Sequence, residues 1–306
     1  MTMLKFERRR FLWQSTLAAL GVAVSGSTGN FNHSPKKILR FGLAADSHYA
    51  DRPPLRTRYY RQSLEKMRYF IEMMNKQKVD FVMHLGDFKD EDENKRADDT
   101  LSYLKAIESE YARFEGPIYH CVGNHDVDSI TKTQFIEGIE NTGISTKKSY
   151  YSFDTEFFHC IVLDANYYED GRDHFYKYPI DFQNTNIPQV EIEWLENVLS
   201  LHKNKPVLVF CHHPLFHFIR DDKQFHVNNY LQIQQLFQNH GKVAAVFQGH
   251  VHEERFQQVN GTHYITQLGM VDYQGVENSC FSIIELDMAG IEIHGYKRAS
   301  SHNLVI

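Results

Sequence analysis

Five apolar runs in this chain each stop at a cluster of Asp, Asn or His. Ile38 to Ala44 ends in Asp46-Ser47-His48, and Val79 to Leu85 ends in Gly86-Asp87. Pro117 to Val122 ends in Gly123-Asn124-His125-Asp126, and Pro206 to Cys211 ends in His212-His213-Pro214. Val243 to Phe247 is followed by Gly249-His250-Val251-His252. Runs of this length, closed by turn residues, predict buried strands. In open α/β sheets ligands bind beyond the carboxyl ends of the strands, so five polar clusters there can converge on one spot. A single Asp-x-His or Gly-Asp says little, because such pairs are common in turns. Gly-Asn-His-Asp and Gly-His-x-His are more specific, and five clusters in order make coincidence a poor explanation.

The segments between the runs fit the same plan. Leu55 to Lys78 predicts a helix with Leu64, Met67, Phe70, Ile71 and Met74 on one stripe. Further helices are expected from about Asp92 to Phe114, from Gln189 to Leu201 and from Val227 to Asn239. Phe158 to Leu163 predicts another strand, and Tyr264 to Thr266, Phe281 to Leu286 and Ile291 to His294 predict antiparallel strands joined by tight turns. Alternating strand and helix is the α/β pattern. No internal repeat interrupts it, so residues 36–306 are expected to form one domain.

Composition supports a globular chain and narrows its partners. The 306 residues are 42% hydrophobic and 24% charged, enough to bury a large core. A net charge of −6 argues against a nucleic-acid binder, which needs a basic face. Cys121, Cys160, Cys211 and Cys280 are widely spaced and form no CxxC pair. They are expected to be buried core residues and not a disulfide framework.

Residues 1–35 differ from the rest. Arg8-Arg9-Arg10-Phe11-Leu12 precedes the apolar stretch Ala18 to Val24, and Ala23 and Ser25 frame a cleavage site after Ser25. Arg-Arg-x-Phe-Leu closely resembles a bacterial twin-arginine export signal, with Arg8 and Arg9 as the pair. The expectation is a periplasmic or secreted protein that engages the twin-arginine export machinery. The apolar run is too short and too rich in Gly and Ser to span a bilayer, so no stable membrane span is expected in the mature form.

The residue types at the strand ends suit divalent cations. Two cations held close together need a bridging carboxylate to offset their repulsion, and Asp87 fits that role. One would take Asp46, His48, Asp87 and His252, and the other Asp87, Asn124, His212 and His250. Mixed imidazole and carboxylate ligands favour Mn, Fe, Zn or Ni over Ca. Such a pair, about 3.5–4 Å apart, lowers the pKa of a bridging water to about 7 and clamps both oxygens of an in-line displacement. That hydroxide is the expected nucleophile.

Together, Asp46-x-His48, Gly86-Asp87-x-x-Asp90, Gly123-Asn124-His125-Asp126, His212 and Gly249-His250-x-His252 resemble the calcineurin-like metallophosphoesterase family. The resemblance runs from Ile38 to the last strands. It implies an α/β fold, a four-layer sandwich of two mixed β-sheets flanked by helices, with a dinuclear metal site at the strand ends. It also implies that His125 is the general acid at the leaving oxygen and that Asp90 orients it. In the family the first histidine of His-x-Pro is the ligand, which selects His212 and leaves His213 as a packed or hydrogen-bonded neighbour. The tyrosine ligand of purple acid phosphatases is replaced here by Asp90, so a coloured iron centre is not expected.

A narrower likeness also exists. Phe41 to Asp51, followed by Arg56-Thr57-Arg58-Tyr59-Tyr60-Arg61-x-Ser63-Leu64, resembles the manganese-dependent ADP-ribose/CDP-alcohol diphosphatases. It implies that Arg58 contacts a substrate phosphate, the alternative being a plain basic helical turn. Two features depart from that group. His48 stands where it usually has Gln, and the loop between His48 and Arg58 is shorter. The expected activity is hydrolysis of a phosphodiester, phosphoanhydride or phosphomonoester in a small substrate, such as a nucleotide derivative. A cyclic nucleotide or glycerophosphodiester phosphodiesterase is the alternative, and a silent metal-binding protein the remote one. His84 and His120 are expected to be core histidines and Asp164 structural. Tyr167 to Phe182 is expected to be an ordered loop offering aromatic walls near the cleft.

Overall fold

The computed structural model describes residues 38–91, 93–145, 147–174, 183–217 and 225–306. The expected export signal in residues 1–35 and residues 175–182 of the expected 167–182 loop therefore lie outside the described residues. In chain order the first half contains β1 (Leu39–Ala44), α1 (Ser63–Gln77), β2 (Phe81–His84), α2 (Ala97–Tyr111), β3 (Ile118–His120), α3 (Lys132–Gly138), β4 (Tyr151–Asp154) and β5 (His159–Leu163). The second half contains α4 (Gln189–Leu201), β6 (Val207–Cys211), α5 (Tyr230–His240), β7 (Val243–Gln248), β8 (Arg255–Val259), β9 (Thr262–Thr266), β10 (Cys280–Leu286), β11 (Gly290–Lys297) and β12 (His302–Val305).

Two mixed six-stranded sheets result. One runs β12-β11-β10-β1-β2-β3 and the other β4-β5-β6-β7-β9-β8. Strands β1, β2 and β3 are parallel, as are β5, β6, β7 and β9. Their burial on both faces explains why they are apolar runs without alternation. Between the sheets Phe41 stacks on Phe81 at 4.7 Å and meets Phe210 and Phe247 edge-on at 5.6 and 5.4 Å. Each such fully buried ring contributes roughly 1.5–3 kcal/mol. A second core lies under the first two helices, where Met67, Phe70, Ile71 and Met74 of α1 meet Leu104, Ile107 and Tyr111 of α2. A third packs α4 and α5 on the second sheet through Ile192, Leu195, Ile233 and Phe237. Helix, sheet, sheet, helix is the four-layer sandwich that the sequence led us to expect. All four cysteines are buried and unpaired. Among the described residues no helix is long and apolar enough to cross a membrane.

The structure corrects several element boundaries. Helix α1 begins at Ser63, not Leu55, behind a single 3₁₀ turn over Tyr60–Gln62. The backbone upstream is used elsewhere: Leu55 and Arg58 bond each other, and the Tyr59 amide donates to the Val271 carbonyl. Helix α2 starts at Ala97, where Asp98 and Asp99 meet the positive end of the helix dipole. Strand β9 does not follow β10 and β11 into their sheet. It pairs with β7 and β8 in the other one, while β10 and β11 form the expected antiparallel pair. The chain between β9 and β10 must therefore cross from one sheet to the other. It does so along the ends of the strands that carry the polar clusters.

Candidate metal centre

The parallel pairing of β1 with β2 continues past both strands and sets the geometry of the site. The Leu85 amide donates to the Ala44 carbonyl at 2.8 Å, Asp46 to Gly86 at 3.0 Å and His48 to Asp87 at 2.8 Å. Asp46 and Asp87 are thereby held side by side, almost fully buried. Five of the seven candidate ligands, Asp46, His48, Asp87, His250 and His252, have positive φ. Left-handed backbone at non-glycine residues costs about 1–3 kcal/mol each and persists only where the surroundings enforce it. Glycines let the loops close in: a Cβ on Gly249 would sit 2.7 Å from Asp46 Oδ2. The His250 amide instead donates to that carboxylate at 3.0 Å. Asp126 locks the third loop, its oxygens accepting from the amides of Phe88, Lys89 and Gly123.

Three imidazoles are fixed by their Nδ1 atoms. His212 Nδ1 lies 2.9 Å from the Leu85 carbonyl, His48 Nδ1 3.1 Å from Asp90 Oδ2 and His252 Nδ1 2.7 Å from Asp272 Oδ2. Each partner is an acceptor, so each Nδ1 must carry a proton, and in the neutral ring that a metal ligand requires each Nε2 presents a lone pair. Those lone pairs face further acceptors. His48 Nε2 is 3.1 Å from His252 Nε2 and 3.4 Å from Asp87 Oδ2. His252 Nε2 is 3.5 Å from Asp46 Oδ1. His212 Nε2 is 3.1 Å from Asn124 Oδ1 and 3.3 Å from Asp87 Oδ2. Donors bound at about 2.1 Å around one cation would lie roughly 3.0–3.4 Å apart, close to these separations. Acceptors turned toward acceptors at this spacing fit a pair of divalent cations. Asp46, His48 and His252 form one group of converging ligand atoms, and Asp46, Asp87 and His212 another.

Electrostatics point the same way. Burial pushes the Asp46 carboxyl up to about 6, against the pull of His252 and His212. Burial lowers His48 to about 3, and the nearby Arg58 guanidinium adds to the effect. Burial would also lower His212, but Asp87 beside it overrides this and raises it to about 9. Positive charge is demanded where Asp87 meets His212.

Asp90 stands between two histidines. Besides His48 it faces His125, whose Nδ1 lies 3.4 Å from Asp90 Oδ1 and 3.3 Å from Asp128 Oδ2. Burial opposes protonation of His125, yet Asp90 and Asp87 raise it well above the ordinary imidazole value. The His125 amide donates to Asp87 Oδ1 at 2.7 Å. Arg58 Nη1 is 3.8 Å from Asp90 Oδ2, and Arg58 lines a cavity of about 680 Å³ that also touches His250 and His252. All ten residues singled out from the sequence therefore lie at one end of the two sheets.

His213 is buried against the rings of His212 and His250, with which its ligand atoms converge, and among the described residues neither of its ring nitrogens has a hydrogen-bond partner. His84 is a core histidine, bonded to Ser47 and the Gly86 amide, and His120 is buried beside Glu108. Asp164 is structural, paired with Lys132 at 2.7 Å. Tyr167 is not a cleft wall: its ring lies under the Lys132 ammonium at 3.3 Å, which draws it into that buried network. The aromatic side chains of the cavity are Tyr60, Phe225 and Tyr273. Asp272, Thr57 and Asp128 belong to the site but carry no motif. Asp272 accepts from Thr57 Oγ1 at 2.8 Å as well as from His252.

The family described as "Calcineurin-like phosphoesterase" matches residues 39–254. A manganese-dependent ADP-ribose/CDP-alcohol diphosphatase from Danio rerio is 26% identical over 286 residues, covering 77% of this chain and 88% of its own length. A protein of the same name from Arabidopsis thaliana is 24% identical over 271 residues, covering 74% and 84%. Among solved structures, a dimetal phosphatase from Danio rerio aligns with a TM-score of 0.72 at 23% identity, over 87% of this chain and 98% of that one. A purple acid phosphatase from yellow lupin seeds aligns with a TM-score of 0.59 at 15% identity, over 88% and 53%. At these identities the two structural likenesses speak for the fold alone.

Proposed function

This chain belongs to the calcineurin-like phosphoesterase family, and from that premise we propose that it hydrolyses a phosphoanhydride or phosphodiester bond in a small nucleotide-like molecule. It is a metal-dependent phosphoric ester hydrolase by family. The proposed ligands are Asp46, His48, Asp87 and His252 for one cation and Asp87, Asn124, His212 and His250 for the other. The observation that carries this is the convergence of the Nε2 atoms of His48, His212 and His252 with the oxygens of Asp46, Asp87 and Asn124 at 3.1–3.5 Å. Manganese is the first choice, since the relatives are named for it, and iron or zinc suits the same donors.

Two divalent cations, when bound, supply a water acidified to about pKa 7 and charge to offset the phosphoryl oxygens. The protein's own groups do the rest. A water oxygen bonds to phosphorus while the bond to the leaving oxygen breaks, and His125 delivers the proton that the leaving oxygen needs. Its Nδ1 faces Asp90 and Asp128, which leaves Nε2 for that transfer. Arg58 sits where it can hold a phosphate oxygen beside His125 and His252.

The cavity supports a substrate larger than a phosphomonoester. Arg56, Arg58 and Arg298 line it together with Tyr60, Phe225 and Tyr273. Guanidinium groups suit a second phosphate, and aromatic faces suit a base. The names of the relatives favour the same class.

Export through the twin-arginine route is a separate proposal, supported by Arg8-Arg9-Arg10-Phe11-Leu12 and the apolar stretch after it. Fractionating cells that express the native chain and an Arg8→Lys, Arg9→Lys double variant tests it. Equal export of both would overturn it.

The catalytic proposal is tested with manganese-loaded protein on p-nitrophenyl phosphate, bis-p-nitrophenyl phosphate, ADP-ribose, CDP-choline and cyclic AMP. Turnover of ADP-ribose or CDP-choline that chelation abolishes is the expected result. Preference for cyclic AMP or the bis ester would shift the reading to a phosphodiesterase. Silence on all five with two metals bound would overturn the substrate class.

A further inference from the structure

Lys66 lies on α1 with no solvent exposure, and among the described residues its ammonium forms no ion pair with a carboxylate. Its three donors go to three main-chain carbonyls: Met270 at 2.9 Å, Asp272 at 2.9 Å and Tyr273 at 2.7 Å. A lysine ammonium has three donors and no acceptor, so this arrangement satisfies it completely. The three carbonyls belong to the crossover between β9 and β10. That strap also lies along the site through its amides, Met270 donating to Ala45, Val271 to Asp46 and Tyr273 to Thr57. Tyr273 has φ of +63°, a conformation the strap would leave if it were not held. Carbonyl dipoles converging on one point repel one another, and a cation among them reverses the sign of that interaction.

The side chain of Asp272 fixes the His252 ring, and its Oδ1 holds Thr57, the residue before Arg58. We propose that Lys66 is a positioning residue for the metal centre: by gathering the carbonyls of residues 270, 272 and 273 it holds Asp272 in register, and through Asp272 it holds His252 against the first cation. The inference rests on reading His252 as a ligand of that cation. Lys66 touches neither metal nor substrate. Its effect enters the site on the side built from Asp46, His48 and His252; of the other side, Asn124 and His212 come from the loops after β3 and β6, and only His250 shares a loop with His252.

The experiment measures manganese binding by equilibrium dialysis and the paramagnetic resonance of the bound ions in the full chain. Four proteins are compared: the native chain, Lys66→Met, Asp272→Ala and the double variant. Leu195→Ala, a buried change in α4 within the separate core that packs on the second sheet and contains no strap residue, controls for loss of stability. The native chain should bind two ions with an exchange-coupled signal; fewer than two would overturn the dinuclear reading itself. Lys66→Met should keep one ion and bind the other at least about tenfold more weakly, with the coupled signal replaced by that of isolated ions. Because Lys66 acts through Asp272, the double variant should bind no worse than Asp272→Ala alone. Two ions at native affinity in Lys66→Met would overturn the proposal. So would additive losses in the double variant, or an equal loss in Leu195→Ala. Should Lys66→Met fail to fold, Lys66→Gln, which keeps two donors, gives the same comparison with a smaller loss.

Discussion

Asp272 Oδ2 lies 2.7 Å from His252 Nδ1, twenty residues downstream of the Gly-His-x-His motif and on the other side of β8 and β9. Burial would raise this carboxyl, but the hydrogen bond to His252 and its charge hold it down to about 2. It is therefore ionised at any working pH. It fixes the His252 tautomer and makes the opposite nitrogen a better donor to a metal. Asp272→Ala should weaken metal binding about 10–100-fold. Manganese titration of activity checks this: the half-saturating concentration should rise, and much of kcat should return at high manganese. Native affinity in the variant would remove Asp272 from the site.

His125→Ala separates chemistry from assembly. The His125 amide donates to Asp87 Oδ1 at 2.7 Å, and alanine keeps that amide, so the Asp87 loop stays in place. Only the imidazole between Asp90 and Asp128 is lost. We expect kcat to fall about 10²–10⁴-fold with two metals still bound per chain. Metal content by elemental analysis, measured beside steady-state kinetics, decides it. Full activity would sink the acid role. Substrates with a leaving group that needs no proton, such as p-nitrophenol, should be hit least.

The sequence made some of this site legible and hid the rest for physical reasons. The candidate ligands stand out because each follows a strand buried on both faces, where an apolar run stops abruptly. Asp272 and Thr57 gave no such signal. They act from irregular backbone whose course is set by the sheet-to-sheet crossover, and one misplaced strand, β9, hid that crossover. Helix α3 was missed although Thr131-Lys132-Thr133-Gln134 spells a capping box, which the structure shows formed. Seven residues with two buried positions carry too little periodicity to announce a helix. Strands β8 and β12 are sheet edges, largely or half exposed, so their burial imposes no pattern on the sequence. Tyr167 was misjudged because a tyrosine near a cleft and one beneath a buried lysine look alike until Lys132 is located.

Asp87→Asn tests the bridge. Asp87 Oδ2 faces His48 Nε2 at 3.4 Å and His212 Nε2 at 3.3 Å, so one oxygen looks toward both halves of the site. Burial works against its charge, but His212, His48 and His125 outweigh burial and keep its carboxyl well below the ordinary value. Asparagine preserves the shape and removes the charge that two neighbouring cations require. Metal content and activity should fall together. The manganese-dependent rise in melting temperature should shrink as well, because stabilisation by a ligand scales with its affinity for the folded state, about 2.7 kcal/mol at a hundred times Kd. A variant that kept both ions and their stabilising effect would show that Asp87 does not bridge.

Far from the metal site, at the opposite end of the second sheet, His159 sets a pH dependence of stability. Its ring lies parallel to that of His202 with centroids 3.5 Å apart, and its Nδ1 is 3.1 Å from Asp154 Oδ1. Burial lowers the imidazole below its ordinary 6.5, His202 adds to the fall, and Asp154 offsets only part of it. In the unfolded chain His159 takes up its proton near 6.5; in the folded protein it does so only at lower pH. Between those two values the unfolded state binds more protons, so stability must drop as pH is lowered through that window. Above 6.5 both states are neutral and the group contributes no slope. Urea unfolding from about pH 8 to about pH 5, for the native chain and His159→Gln, isolates the effect. The difference in midpoint between the two should be constant at the alkaline end and move in favour of the variant on acidification. A difference that stays constant throughout would mean that His159 is protonated as readily inside the fold as outside it.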